Sequence, residues 1–524
     1  MNAFLTQIND KEVSNNRFYI TTPIYYVNDV PHIGHAYTSL ACDVIARFMK
    51  LAGKEVWYLS GTDEHGQKVE KSALNNDLSP QEFTDKMSIN FRNLLQSLNI
   101  ANSDFIRTTE ERHKLGVKAF WNRLYENGDV YLGKYSGWYS VRDEAFYDES
   151  ELTPEGFAPT GAPVEWLEEP SYFFALSKWQ NKLLEFYDAN PEFIIPKTRR
   201  NEVISFVKNG LMDLSISRTS FKWGIPVPGN EKHIIYVWLD ALTNYISALG
   251  YPDKTGNYSK FWPADAHVVG KDILRFHAVY WPAFLMAAGL PLPKSIIAHG
   301  WWTNEGQKIS KSLGNVIDPF KLIENFGQDQ VRYFLMREVI FGNDGNYAHD
   351  NLVQRNNTEL SNKIGNLIQR TCSFIFKNCG QKMPDVTKRF IDNMYQDSFF
   401  VQLEDIVKDT IIQMESYNIN AVLDHIIYIT EQSNIYIDRE APWALKNSDL
   451  PKMNEVLYRI VETIRYIGIL IQPFIPDSAA KILDQLSVPE DNRDFRHLTQ
   501  EFAIKPSTRI SEPLPIFPRL EIRN

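Results

Sequence analysis

Two histidines near the start of the chain have the spacing of a phosphate-binding turn. His32-Ile33-Gly34-His35 follows an apolar, β-rich run and begins a helical pattern. In doubly wound α/β domains, a nucleotide's phosphates bind where a helix begins beyond the carboxyl end of a strand. His32 and His35 can both face such phosphates, and Gly34 lets a nucleotide approach the backbone. An isolated motif of this kind could equally be a histidine-rich turn that caps a helix.

A second segment, far downstream, supplies positive charge. Lys308, Ser310, Lys311 and Ser312 lie on a short stretch between two glycines. Lysine is a flexible point charge that can follow a leaving pyrophosphate, and the serines add hydroxyl donors. Alone, such a run is usually a solvated loop. Combined with the histidines, it predicts adenylate formation around one ATP.

The order of the predicted elements indicates an α/β domain. Residues 18–115 alternate strands and helices, which predicts βαβ units and a parallel sheet. The predicted elements are strand Arg17–Val27, helix Gly34–Ala52, strand Glu55–Ser60 and helix Gly66–Asn75.

The middle of the chain changes character and then returns to the first pattern. Residues 116–230 contain frequent glycine and proline and short β-like runs, which indicates an insertion that splits the sheet. The α/β pattern resumes with strands His233–Leu239, His267–Val269 and Ser295–His299 and helices Ile273–Ala288 and Pro319–Phe326.

The last third of the chain predicts a helix bundle, because apolar residues recur at three- and four-residue spacing. The predicted helices are Asn351–Phe376, Asp397–Tyr417, Asn420–Glu440 and Leu450–Ile471, and Pro513–Pro518 should pack back as an extended tail.

The predicted fold is therefore a Rossmann-like parallel sheet split by an α+β connective domain and followed by an all-α helix bundle. The predicted domains are a catalytic first half (1–115), the insertion (116–230), a catalytic second half (231–318), a stem-contact segment (319–360) and the helical domain (361–524).

Bulk composition is that of an ordinary globular enzyme. The 524 residues are 44% hydrophobic and 23% charged, and no stretch of about 18 uncharged apolar residues predicts a membrane span. Residues 1–17 lack the pattern of a signal or transit peptide, which predicts a cytoplasmic protein.

Three cysteines without a C-x-x-C pair predict neither disulfides nor a thiolate zinc site. A net charge of −10 does not exclude RNA, because binding needs only a local basic stripe such as Lys197–Arg200 with Lys208.

Several motifs in fixed order support a family assignment. The two segments above resemble the signatures of class I aminoacyl-tRNA synthetases, and their surroundings resemble methionyl-tRNA synthetases. The resemblance covers nearly the whole chain, through the motifs TPIYYVN (22–28), GTDEHG (61–66), VWLDA (237–241), GKDI (270–273) and APW (441–443).

The resemblance implies a two-step ligase. Methionine and ATP would form methionyl-adenylate and pyrophosphate, and methionine would then pass to the 3′-terminal adenosine of tRNA(Met), including initiator tRNA. The implied ATP residues are His32, Gly34, His35, Lys308, Ser310, Lys311 and Ser312, with His32, His35, Lys308 and Lys311 catalytic. Mg²⁺ would accompany the ATP.

A methionine pocket is also implied. Its residues would be Ile24, Tyr26, Asp63, Trp238, Ala241, Leu242, Tyr245, Asp272, Ile273 and His277. Asp63 would receive the ammonium group, supported by Arg218. An unbranched thioether suits an apolar, aromatic-lined cavity, although the same aromatics could simply be core. Leu242 departs from the family, which often has proline there.

The insertion departs from relatives that bind zinc through cysteine pairs. Ser140 and Asp143 stand where one pair would fall, and 157–161 contains no cysteine. Structural zinc needs a closed set of Cys or His ligands, so the sequence predicts no metal site. The insertion would then guide the acceptor end of tRNA.

The helical domain is predicted to read the anticodon. Asn366 and Arg370 are four residues apart on one helix face, and the resemblance adds Trp443 as a stacking platform for an unpaired base. Without the family context, a solvated helix face and a buried Pro442–Trp443 corner would be preferred.

Two other classes of protein remain as alternatives. Synthetases for leucine, isoleucine and valine need a large editing domain between the signatures, for which there is little space, and a cysteine-specific enzyme needs metal ligands that are missing. A non-catalytic RNA-binding relative would not need both signatures. The chain ends soon after the bundle, which favours a monomer.

Overall fold

The computed structural model describes residues 16–28, 30–143, 145–147, 149–309 and 315–521. In chain order, the strands are β1 (Arg17–Thr21), β2 (Tyr25–Tyr26), β3 (Glu55–Asp63), β4 (Asp104–Arg107), β5 (Val130–Ser140), β6 (Ala145–Tyr147), β7 (Glu165–Phe174), β8 (Ile194–Ile195), β9 (Leu214–Ser215), β10 (Ser217–Arg218), β11 (Pro226–Val227), β12 (Asn230–Ile235), β13 (Ala266–Gly270), β14 (Ile296–His299), β15 (Trp302–Asn304), β16 (Gln307–Lys308) and β17 (Gly345–Tyr347).

The helices of the described part begin with those of the N-terminal half. These are α1 (Ile33–Leu51), α2 (Gln67–Asn75), α3 (Pro80–Ser97), α4 (Glu111–Glu126), α5 (Gln180–Ala189), α6 (Lys197–Lys208), α7 (Val237–Leu242), α8 (Asn244–Ser247), α9 (Gly256–Phe261), α10 (Trp281–Ala288) and α11 (Pro319–Phe326). The rest are α12 (Gln328–Arg337), α13 (His349–Arg355), α14 (Asn366–Asn378), α15 (Lys388–Met394), α16 (Ser398–Glu415), α17 (Ile419–Glu440), α18 (Pro442–Leu445), α19 (Leu450–Ile471) and α20 (Pro476–Gln485).

A parallel sheet forms the centre of the N-terminal half, which confirms the predicted α/β class. β1 pairs with β3 on one side and with β13 on the other. β4 extends the sheet beyond β3, and β14 followed by β8 extends it beyond β13; all these pairings are parallel. Chain order reverses between β1 and β13, and sheets of this kind bind ligands at such a point, beyond the carboxyl ends of the strands.

The first predicted strand is interrupted. Instead of one strand Arg17–Val27, the chain forms β1 and then the short β2, whose Tyr25 and Tyr26 pair with Thr62 and Asp63 at the end of β3. Pro23 lies in the gap, and proline has no N–H to donate to a sheet ladder.

The insertion contains its own antiparallel sheet, with strand order β6-β5-β7-β9. β8 lies in the same stretch of sequence, yet it pairs in parallel with β14 and belongs to the central sheet. The predicted unit 116–230 therefore includes an edge strand of the catalytic sheet. Because β8 has only two residues and pairs with a strand about a hundred positions away, the local sequence does not indicate it.

The predicted strand His233–Leu239 is wrong in its second half. β12 ends at Ile235 and lies in a small antiparallel sheet with β10 and β11, and Val237–Leu242 forms α7. Short apolar runs do not distinguish a buried strand from a buried helix.

The predicted helix Ile273–Ala288 is also irregular. Lys271–Ile273 is a 3₁₀ turn, Phe276–Tyr280 is π-helical, and the α-helix α10 begins only at Trp281. Single π turns of this type are frequent at functional sites, and His277 lies within this one.

The C-terminal half is helical, as predicted. α11 and α19 have the predicted bounds. α16 begins one residue later and ends two residues earlier than predicted, and α17 begins one residue earlier and ends as predicted. The predicted helix Asn351–Phe376 instead consists of α13, a π-helical turn Asn356–Gly365 and α14. No helix of the described residues is both long enough and apolar enough to span a bilayer.

One buried charge fastens this half to the catalytic domain. Arg332 of α12 is fully buried and donates to the Asp43 carboxylate on α1 at 2.8 Å. It also donates to the backbone oxygens of Leu98, Pro473 and Phe474 at 2.7–2.9 Å. One of the two hydrophobic clusters runs from the sheet through α1 into the bundle, and the other lies within the N-terminal half. The tail packs back as predicted, with Phe517 buried.

Candidate active site

A cavity of about 510 Å³ lies beyond the carboxyl ends of β1, β3, β13 and β14. Its lining includes all the residues predicted for methionine and three of those predicted for ATP, which are Ile24, Tyr26, His32, Gly34, His35, Asp63, Trp238, Ala241, Leu242, Tyr245, Asp272, Ile273 and His277. Residues from widely separated segments of the chain therefore meet at the point where the strand order reverses.

The two histidines of the first motif cap helix α1 and line the cavity at the same time. The Gly34 N–H donates to His32 Nδ1 at 3.1 Å, and the His32 N–H donates to His35 Nδ1 at 3.1 Å. The ring centroids are 3.9 Å apart. Because each Nδ1 accepts a hydrogen bond, the proton of each neutral ring is on Nε2.

The surroundings keep these rings neutral. Burial lowers the pKa of His32, against the opposing effect of the Asp272 carboxylate. Burial and then the neighbouring His32 hold the pKa of His35 well below its ordinary value. The pair is therefore built as two neutral N–H donors at a helix N-terminus, an arrangement that suits phosphate oxygens.

The structure gives a steric reason for glycine at position 34, which the sequence alone did not indicate. A Cβ at this position would lie 2.9 Å from Cε1 and 3.1 Å from Nδ1 of the His32 ring. Contacts this short require the ring to move. Glycine therefore keeps His32 in its capping position, whether or not a nucleotide approaches the backbone.

Aromatic side chains form one wall of the cavity. The Trp238 indole stacks on Phe276 with ring centroids 3.6 Å apart and contacts Tyr26 edge to face. Trp238 is 9% exposed, and Ala241 and Leu242 lie beside it on α7. The wall is apolar and polarisable, which is what a thioether side chain requires.

His277 and Tyr245 form a hydrogen-bonded pair beside this wall, and the His277 ring lies edge to face with Trp238 at a centroid distance of 6.3 Å. The His277 Nδ1–H donates to the Ile273 backbone oxygen at 3.0 Å, so Nε2 accepts from the Tyr245 hydroxyl at 2.6 Å. Burial lowers the pKa of His277 to about 4, despite the Ile273 bond and the Asp272 carboxylate. This ring is also neutral at physiological pH.

The rim of the cavity is organised around Asp272. Its Oδ1 accepts from the Trp301 Nε1–H at 3.1 Å, and the Lys271 ammonium lies 4.3 Å from the Trp301 ring centroid. Lys271 also pairs with Asp344 at 2.7 Å. Trp301 is 46% exposed and so presents an aromatic face at the mouth of the cavity.

Asp63 is almost fully buried where β3 ends and faces the cavity. Arg218 lies outside the cavity lining; it donates to the Ser215 hydroxyl and the Ser217 backbone oxygen at 2.7–2.8 Å and covers the Tyr236 ring. Its predicted support of Asp63 stays a prediction.

The second motif lies largely outside the described residues. β16 ends at Lys308, whose side chain is not described, and Ser310, Lys311 and Ser312 also lie outside the described part. The flanking Ile309 and Val316 line the cavity. The described residues on both sides of this segment therefore lie at the cavity.

Sequence reasoning missed several cavity residues. Thr38, Gly270, His299, Trp301 and Trp302 line the cavity without having been assigned to it. Thr38 bonds to His299 Nε2 at 2.8 Å. A usable signal existed, because Gly270 and His299 close strands of the parallel sheet, where ligands of this fold class bind.

The insertion joins its two loops through hydrogen bonds where some relatives have zinc. The Asp143 carboxylate accepts from the Tyr147 hydroxyl at 3.1 Å and from the Thr160 hydroxyl, and Arg142 donates to the Thr160 backbone oxygen at 2.7 Å. Burial, with the nearby Asp143 charge, raises the pKa of Tyr147 to about 12. Among the residues that the structure describes, no group of three or more His, Cys, Asp or Glu could hold a metal.

The predicted anticodon residues lie on two helices of the bundle. Asn366 begins α14 and is exposed. Arg370, one turn later, donates to the Asp438 carboxylate at 2.6 Å and to the Asn434 side-chain oxygen at 2.9 Å. Trp443 of α18 is 48% exposed, so it is not the buried corner of the alternative interpretation.

Comparison with known families gives two matches along the chain. Residues 18–161 and 157–372 match the family described as "tRNA synthetases class I (M)". Residues 393–520 match the "Anticodon binding domain of methionyl tRNA ligase". The two matches together cover both halves of the molecule.

Individual relatives agree over almost the full length. A methionine–tRNA ligase of Rickettsia felis is 66% identical over 506 residues, which cover 97% of this chain and 99% of that protein. One from Mesorhizobium japonicum is 51% identical over 514 residues, with 97% and 98% coverage.

A solved structure of Mycobacterium tuberculosis methionyl-tRNA synthetase in complex with methionyl-adenylate superposes with a TM-score of 0.92. It is 44% identical and is matched over 96% of this chain and 100% of that one. With the two signatures in one fold and this likeness over the full length, the chain belongs to the methionyl-tRNA synthetase family of class I aminoacyl-tRNA synthetases.

Proposed function

We propose that the cavity performs the first step of a methionine–tRNA ligase, with ATP at the His32–His35 turn and methionine between Asp63 and the Trp238 wall. The observation that carries the proposal is that residues assigned to both substrates line one cavity where the strand order reverses. The bound methionyl-adenylate named for the Mycobacterium tuberculosis structure gives independent support.

The first step joins methionine to the α-phosphate. A methionine carboxylate oxygen forms a bond to the phosphorus, and the bond to the pyrophosphate oxygen breaks. Phosphoryl transfer of this kind depends on positioning and on charge placed around the transition state. The Nε2–H groups of His32 and His35 would donate to the phosphate oxygens. Lys308 and Lys311, with Ser310 and Ser312, would neutralise the leaving pyrophosphate.

Methionine would be held at both of its ends. The Asp63 carboxylate would take the ammonium group, with Arg218 as its support. The thioether would lie in the wall formed by Ile24, Tyr26, Trp238, Ala241, Leu242, Tyr245, Ile273 and His277, and Asp272 would contact the adenylate at the rim. Because apolar pockets separate near-isosteres only by about 10–200-fold per methylene, norleucine and leucine are the informative competitors.

The second step transfers methionine to tRNA. The terminal ribose hydroxyl attacks the adenylate carbonyl, AMP leaves with the electrons of the broken acyl–phosphate bond, and the hydroxyl proton passes to solvent. We propose that the insertion guides the acceptor end, that 319–360 contacts the stem, and that Asn366, Arg370 and Trp443 bind the anticodon.

Some finer points belong to the same proposal. Mg²⁺ would be carried by the triphosphate, since this ion binds mainly through phosphates and water, and the insertion would hold no zinc. We place a monomeric enzyme in the cytoplasm, which suits its free cysteines, with initiator tRNA among its substrates. Sedimentation tests the monomeric state. Charging of initiator and elongator tRNA tests the substrate range.

Amino-acid-dependent pyrophosphate exchange tests the central proposal. Exchange should occur with methionine and be weaker by about tenfold or more with norleucine or leucine. Lys311→Ala should lower the exchange rate far more than it weakens methionine binding, while Lys321→Ala, an exposed lysine on α11, should leave it unchanged. Equal exchange with an unrelated amino acid would exclude the assignment.

A further inference from the structure

A buried carboxylate behind the cavity joins two walls of the proposed methionine site. Asp240 is on α7, between Trp238 and Ala241, but it is not part of the cavity lining. Its Oδ2 lies 2.7 Å from Nδ1 of His65, and its Oδ1 lies 2.7 Å from Nε2 of His113. Both carboxylate oxygens are therefore occupied by ring N–H groups from different elements.

The arrangement is fully enclosed. Asp240, His65 and His113 are all almost completely buried. Burial alone would raise the pKa of Asp240, but His65 and His113 together outweigh it and bring the pKa to about 2. Nδ1 of His113 in turn contacts the Ser247 hydroxyl at 2.8 Å. A buried charge is tolerated only with such complete pairing.

The partner His65 links the loop that carries Asp63 to α7. His65 comes two residues after Asp63, in the loop that follows β3. Glu64, between them, is fully buried and accepts from Arg107 at 2.7 Å and from Thr109 at 2.6 Å. The loop is thus attached to the sheet through Glu64 and to α7 through His65.

We propose that Asp240 is a positioning residue for methionine, because it sets the separation between the Asp63 loop and the Trp238 wall. This inference rests on the proposed function. Methionine must reach Asp63 with its ammonium group and α7 with its side chain, so the distance between the two walls decides its fit. The His32–His35 turn is on another helix and does not depend on this link.

The test is Asp240→Asn in the full-length chain. Asparagine keeps the shape, but it removes the charge and replaces one of the two accepting oxygens by an NH₂ donor. The methionine KM in pyrophosphate exchange should rise by about tenfold or more, as small displacements of a positioning group do. The ATP KM and kcat at saturating methionine should change less than about threefold. Adding His65→Gln should raise the methionine KM little further, because the two changes break one link.

Asp329→Asn is the matched control. Asp329 is a buried carboxylate on α12 that accepts from the Ser478 N–H at 2.6 Å, and it is not part of the cavity lining. It should change stability without raising the methionine KM. A folded Asp240→Asn enzyme with an unchanged methionine KM, or with the methionine and ATP constants raised together, would overturn the inference.

If Asp240→Asn does not fold, Ser247→Ala decides the question. This change removes the hydroxyl that contacts His113 at 2.8 Å and also donates to the Asn244 backbone oxygen at 3.4 Å. It should raise the methionine KM severalfold, and no rise would overturn the inference. A parent enzyme that shows no methionine-dependent exchange would refute the proposed function instead, so the two failures are distinguishable.

Discussion

Protonation of His277 should cost the folded protein stability in mild acid. Its pKa falls from an ordinary 6.5 to about 4 because the ring is buried, and the neutral ring donates to Ile273 and accepts from Tyr245. The unfolded chain therefore binds this proton at a pH where the folded chain does not. Stability is complete above about pH 6.5 and is lost as pH falls towards 4.

The size of the effect follows from the two pKa values. The difference between 6.5 and about 4 corresponds to a limit of about 3 kcal/mol, and about 2 kcal/mol of it should be lost between pH 7 and pH 5. His277→Gln removes the proton-binding ring but keeps an oxygen that can accept from Tyr245. Between pH 7 and pH 5, the unfolding free energy of the variant should therefore fall by about 2 kcal/mol less than that of the parent.

Urea unfolding, followed by tryptophan fluorescence at pH 8, 7, 6 and 5, measures the difference. Parent and His277→Gln should show a constant offset between pH 8 and 7 and converge below pH 6.5. Because the other titrating groups are common to both proteins, they cancel in the comparison. Parallel free-energy curves down to pH 5 would refute the argument that burial keeps His277 neutral.

Three further predictions concern other parts of the molecule. Gly34→Ala should lower the pyrophosphate-exchange rate with little loss of stability, because the new methyl group displaces the His32 ring; an unchanged rate would contradict the steric argument. Arg332→Met should cost about 3–5 kcal/mol of unfolding free energy, since it removes one of the two arginine partners of the buried Asp43 carboxylate and the donor to three buried backbone oxygens. Arg496→Met removes an exposed ion pair and should cost less than about 1 kcal/mol in the same urea titration. Trp443→Ala should raise the tRNA concentration needed for charging while leaving adenylate formation intact; equal losses in both would indicate a structural role.

The sequence predicted which residues lie together in the cavity better than it predicted the elements that carry them. The methionine residues were assigned through family motifs, and motifs report which side chains meet without specifying backbone shape. The segment around Trp238 was predicted as a strand, yet it is the helix α7. Trp238, Ala241, Leu242 and Tyr245 line the cavity together because their spacing of three and four residues places them on one helical face.

What could not be predicted depends on distant pairings. β8 joins the catalytic sheet from within the predicted insertion, and neither its length nor its composition marks it. Asp240 stood inside a recognised motif, yet its histidine partners are 175 and 127 positions away. In the sequence, a buried polar residue is visible only as one polar residue within an apolar run. Its hydrogen-bond partners are determined by the fold.

The dependence on distant pairings also explains why the sequence predicted a catalytic role for helix α1 but not its contact with the helical half. Its first turn carries His32 and His35, and one face further along carries Asp43, which accepts from Arg332 at 2.8 Å and from Arg47 at 2.7 Å. Precise catalytic geometry requires rigid elements held by packing and hydrogen bonds. Because Arg332 also binds the chain between α19 and α20, the packing of the helical bundle bears directly on the helix that presents the histidines. The bundle is therefore a structural support of the active site as well as the proposed reader of the anticodon.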